Sequence, residues 1–90
     1  MQKEILELRN LIKKRNIDKA YEQAKRLNKI NKKNREVIKI LAFLFIQRNQ
    51  FDATINLLNE YYEVNPNEKD FDYYVNMGAS YKAIEEYEKS

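Results

Sequence analysis

Ninety residues, 34% of them charged and 43% hydrophobic, bound the chain to one soluble globular domain with a small core. Zero cysteines exclude disulfides, thiolate metal sites and cysteine nucleophiles, and zero histidines remove the commonest general base and metal ligand. The net charge of +3 divides unevenly: residues 1–50 hold 14 Lys/Arg against 5 Asp/Glu, and residues 51–90 hold 3 against 9, so one end is basic and the other acidic.

A single glycine and a single proline leave few tight turns, and the apolar residues recur at spacings of three and four, the helical period. Ile5, Leu8, Leu11 and Ile12 form the first stripe, and Ala20, Ala24, Leu27 and Ile30 the second. Val37, Ile38, Leu41 and Phe45 mark a third, Ile55, Leu58, Tyr61 and Tyr62 a fourth, and Tyr74, Met77, Gly78, Tyr81 and Ile84 a fifth. Between them lie "RNID", "NKINKKN", "RNQFD" and "NPNEKD", rich in Asn and Asp, which tolerate left-handed backbone and cap helix N-termini. Five helices are predicted, near 2–15, 18–31, 35–49, 52–64 and 70–88, an all-α fold. "MQKEILELRN" carries charges through its apolar positions and is no secretory leader; "ILAFLFI" at 40–46 is too short to span a membrane. Both features, with the missing cysteines, suit a cytoplasmic protein with no membrane partner.

The stripes repeat. Leu11 is followed nine residues later by Ala20 and then by Ala24; 34 residues on, Phe45 is followed by Thr54 and Leu58; 36 further, Tyr81 is followed by Ser90. A period in this range signals stacked helical hairpins, none of which can bury its apolar face alone. The residues resemble the tetratricopeptide repeat (TPR) family over essentially the whole chain, in units of about 1–34, 35–68 and a partial 69–90. Tyr74, Met77, Gly78 and Tyr81 match the aromatic, Leu-Gly and Tyr places of that motif. Leu41, Ala42, Phe45, Thr54, Leu58 and Pro66 match the second unit, and Leu8, Leu11, Ala20 and Ala24 the first. Glu7, Thr54, Tyr61 and Lys32 depart from it. The resemblance implies a right-handed superhelical stack of antiparallel hairpins, with Gly78, Ala42 and Leu8 where the two helices of a hairpin come closest.

No catalytic constellation is apparent. Glu85 and Glu86 are consecutive and point to different sides of a helix, Glu60 and Glu63 suit a solvated face, and the two serines have no base to activate them. No phosphate loop or metal-ligand spacing occurs, so neither an enzyme nor a cofactor is expected. The basic runs at 13–15, 25–26 and 32–35 allow nucleic-acid binding, but they fall near helix C-termini and loops, and the second half is acidic.

The resemblance implies a protein-binding scaffold whose first helices line a concave groove. The groove places are Ile5, Arg9, Ile12 and Lys13, then Lys39, Phe43, Ile46 and Gln47, then Val75, Ala79 and Lys82. An apolar floor with cationic edges suits an acidic partner segment carrying apolar anchors. The carboxylate clamp of chaperone-binding members is not matched, because Ile5, Ile40, Asp72 and Asn76 occupy four of its five places and only Arg9 is cationic. An alternative is a spacer or oligomerisation segment at the N-terminus of a larger protein, such as a glycosyltransferase or sulfotransferase. Tyr74, Met77, Gly78 and Tyr81 form an apolar strip expected to self-associate as a homodimer.

Overall fold

Two short connections set the path of the chain, and they are built alike. In a computed structural model that describes residues 1–89, α1 (Gln2–Lys13) ends with Arg15 at φ 62° and α3 (Arg35–Gln47) ends with Asn49 at φ 59°. After α1 the Arg15 and Asn16 N–H groups donate to the Ile12 and Leu11 carbonyls at 2.9 and 2.8 Å. After α3 the Asn49 and Gln50 N–H groups donate to Ile46 and Phe45 at 3.0 and 2.8 Å. Both are left-handed helix stops of the Schellman type, which satisfy carbonyls that the helix end leaves open. They lead into α2 (Ile17–Ile30) and α4 (Phe51–Val64), so the second hairpin repeats the first at an offset of 34 residues.

The two remaining connections differ. Between α2 and α3, the Asn34 side chain accepts the Val37 N–H at 3.2 Å and starts α3 directly. Between α4 and α5 (Phe71–Lys89), a short 3₁₀ turn at Pro66–Glu68 takes up two extra residues, which changes the offset from 34 to 36. All five predicted helices are present, and among the described residues there is no strand. Ser90, the last member of the repeating series, lies outside the described residues. No described helix is long and apolar enough to cross a membrane.

Each helix packs on the next in sequence, and α3 also touches α5. The core has two parts that meet at α3. Leu8 of α1, Ala20, Tyr21, Ala24 and Leu27 of α2, and Val37, Leu41 and Leu44 of α3 fill the first. Ile38 and Ala42 of α3, with Ile55, Leu58, Tyr61 and Tyr62 of α4 and Met77 of α5, fill the second. Thr54, at a place suited to a small apolar residue, is fully buried and returns its hydroxyl to the Gln50 carbonyl at 3.0 Å. Tyr21 ties the first hairpin to the second: its hydroxyl donates to Gln50 Oε1 at 3.1 Å, and Phe45 meets its ring edge-on.

The position of α5 rests on Asp70. Its Oδ1 accepts the Tyr73 N–H at 3.1 Å, an N-cap, while Oδ2 accepts from Arg35 Nη2 at 2.6 Å and Lys39 Nζ at 2.5 Å, both on α3. The Arg35 guanidinium also donates to the Glu68 carbonyl at 2.7 Å, and the Tyr61 hydroxyl donates to Glu68 Oε1 at 3.0 Å. Burial, and then that bond, push the Tyr61 hydroxyl up to about 12. The Lys39 ammonium, then the Tyr73 N–H, hold the Asp70 carboxyl below its ordinary range, and Asp70 in turn raises Lys39.

Two outcomes follow from these contacts. A lowered native pKa means that Asp70 contributes stability above its unfolded value, about pH 4, and loses it as pH falls through the native value. Asp70→Ala should therefore lower stability by about 1–2 kcal/mol at neutral pH, with the gap to wild type closing in acid; a constant gap in denaturant titrations down to acid pH contradicts this account. Arg15 holds a left-handed conformation that Asn adopts more readily. Arg15→Asn, copying Asn49, should raise the unfolding free energy by about 0.5–1 kcal/mol, measured by the same titration.

Candidate functional site

Ion pairs between successive odd-numbered helices lay three side-chain stripes next to one another. Arg9 Nη2 on α1 contacts Glu36 Oε2 in the first turn of α3 at 3.1 Å. Lys39 Nζ on α3 contacts Asp72 Oδ2 in the first turn of α5 at 3.3 Å, besides its bond to Asp70. Residues three and four apart share a helix face. The Arg9 face of α1 therefore adjoins the Glu36–Lys39–Phe43–Gln47 face of α3, which adjoins the Asp72–Val75–Ala79–Lys82 face of α5.

On this shared face Phe43 is 42% exposed at the middle of the central helix and Val75 is 47% exposed on its neighbour. Ala79, Gln47, Lys13 and Lys82 are also solvent-exposed. Neither Lys13 nor Lys82 forms an ion pair among the described residues, so these two supply the unpaired positive charge.

Five of the expected groove residues stand differently. Ile5 is buried in the first core, where it packs inward with Leu8 one turn on, and Ile12 is half-buried against the same core. Their stripe borders the core, and the hairpin interior claims the larger side chains. Arg9 and Lys39 are not free cationic edges, because carboxylates from the next odd-numbered helix already hold them. Each pairs one odd-numbered helix with the start of the next. Ile46 is half-buried, and Leu6, 64% exposed on α1, joins Gln2 and Arg9 in a shallow depression against Glu36. The self-association strip divides as well. Met77 turns into the second core, while Tyr74, Gly78 and Tyr81 stay exposed.

The carboxylates Glu36, Asp70 and Asp72 were not singled out from sequence as parts of this face. Their signal was present: each lies at the start of an odd-numbered helix, and each has a cation 27 to 35 residues upstream. A separate cavity of about 620 Å³ opens between the C-terminal ends of α2 and α4, lined by Asn28, Lys33, Glu60, Tyr61 and Val64 among others. Charges around it are already paired across the two halves of the chain, as Lys32 with Glu60 at 3.9 Å and Arg35 with Asp70. The basic residues are spread along the first hairpin. Lys13–Arg15 and Lys29–Lys33 lie at opposite ends of α2, whose 14 residues span about 20 Å.

No family model, curated protein or solved structure matches the chain, so the geometry of its own residues carries the functional argument.

Proposed function

We propose that the chain is a protein-interaction module of the TPR kind, which receives an apolar-anchored partner segment across the shared face of α1, α3 and α5. Phe43 carries this reading: an aromatic side chain stands nearly half exposed at the centre of the central helix, on a surface crossed by ion pairs between neighbouring odd-numbered helices. Large exposed aromatics within a rigid frame are the usual anchors of binding energy, because they order little on contact and bury much area.

Arg9 and Lys39 face their own carboxylates, so a partner gains little by offering acid to them. Lys13 and Lys82 stand at the two outer helices and favour a segment with acidic residues flanking the apolar anchor. A spacer or oligomerisation role in a larger protein is supported by a different surface, the outward side of α5.

Peptides selected from a random display library on the immobilised protein should be enriched in apolar anchors flanked by Asp or Glu. Phe43→Glu should weaken the selected peptides by about 30-fold or more, the scale of a hot-spot residue. Lys82→Glu should slow their association at low salt and matter little at high salt. Binding that survives both Phe43→Glu and Val75→Glu, with the helical circular dichroism intact, overturns the assignment.

A further inference from the structure

Cations gather along the outward side of α2. The helix buries Ala20, Tyr21, Ala24 and Leu27, while Lys19, Glu22, Arg26 and Lys29 recur at spacings of three and four on its exposed side. Arg15 precedes the helix and Lys33 follows it, both exposed. Among the described residues none of these five cations forms an ion pair, whereas Arg9, Arg35, Lys39 and Arg48 each hold a carboxylate. Arg48 takes Asp18, at the edge of this side, at 2.9 Å. Glu22 is then the carboxylate set among the five.

The internal repeat shows that the fold does not call for this charge. At the offset of 34, Arg15, Lys19, Arg26, Lys29 and Lys33 correspond to Asn49, Ala53, Glu60, Glu63 and Asn67 on and beside α4. The same side of the equivalent helix is solvated there without a cation. Glu60 and Glu63 are exposed although α4 lies between α3 and α5, so neighbouring hairpins leave this side open. On α2 the cations oppose the single chain. Lys19 sits in the first turn, where the helix dipole disfavours positive charge, though Lys29 in the last turn gains from it. Lys25 and Arg26 lie four and three residues from Lys29, as like charges on neighbouring places.

We infer that this side of α2 binds the phosphate backbone of a double-helical nucleic acid without reading its sequence. Charge alone suits any polyanion, and the rest of the surface narrows the choice. Ile30, 70% exposed in the last turn, is the large exposed apolar side chain that α2 offers. One aliphatic group is too little to anchor a protein segment or to enter a bilayer. Unpaired bases need an open ring to stack on, and Tyr21 is buried with Lys25 and Arg48 over its ring at 4.6 and 4.2 Å. A duplex needs only cations in a row. The 14 residues of α2 span about 20 Å, and one strand presents a phosphate about every 3.4 Å of axis, so the helix runs past about six phosphates.

Fluorescence anisotropy of labelled DNA duplexes of about 20 base pairs, in two unrelated sequences, tests this on the whole chain. Both duplexes should bind equally at about 50 mM salt. Affinity should fall by about 100-fold or more by about 200 mM, the loss that about four phosphate contacts produce. Arg26→Gln with Lys29→Gln should reduce the slope of log affinity against log salt by about two, with the helical circular dichroism intact. If that pair disturbs the fold, Lys19→Gln with Lys33→Gln should give the same reduction. Lys69→Gln, in the α4–α5 connection, should leave the slope unchanged. No binding at about 50 mM salt overturns the inference, as does a slope that the α2 substitutions do not move. Tighter binding to the single strand overturns it too. Equal or better binding to polyglutamate or to phosphatidylserine vesicles overturns it in favour of an acidic protein or a bilayer.

Discussion

A helical hairpin this short has one apolar face and nothing of its own to set against it. The architecture depends on α3 resolving that shortage twice. Val37, Leu41 and Leu44 close the first hairpin from one side, while Ile38 and Ala42 accept α4 and α5 from the other. At about 1.5–3 kcal/mol for each large aliphatic side chain buried, four such residues contribute gross stabilisation comparable to the net stability of a whole small domain. The apolar run "ILAFLFI" is dense because α3 serves two cores. Phe43 and Ile46 are the members of that run that belong to neither.

The charge asymmetry has a similar internal use. Lys32, Arg35 and Lys39 from the basic half bond or face Glu60, Glu68, Asp70 and Asp72 from the acidic half. Stacking the second hairpin on the first brings these groups together, so part of the imbalance is neutralised within the fold. These pairs are at least partly solvent-exposed and individually weak. Asp70 differs because one carboxylate caps α5 and accepts from two cations at once, which orients a helix as well as pairing a charge.

How much of this was legible in the sequence depends on distance along the chain. The five helices and the offsets of 34 and 36 were readable, because periodicity, Asn-rich breaks and the Pro66 loop are all local signals. Sidedness was less so. Ile5 and Met77 lie at the borders of their stripes, and on a helix with apolar residues all round, as α5 is, the pattern cannot say which border faces the core. The cross-helix ion pairs were not legible at all. Arg9 and Lys39 read as free cations until the stacking of the hairpins brings carboxylates from 27 and 31 residues away within reach.

Gly78 brings these strands together. In a helix interior glycine costs about 1 kcal/mol relative to alanine, and here no φ in the left-handed range calls for it. Nor does anything within the chain approach its Cα closely enough to exclude a methyl group. The equivalent residue on α3, Ala42, is small because it is fully buried beneath the next helix. Within a single copy, then, the glycine is an unrecovered cost flanked by three exposed aromatic rings. A second helix packed at that point would reverse the balance, closing the rings and using the missing side chain for close backbone approach, as α4 does over Ala42 on α3.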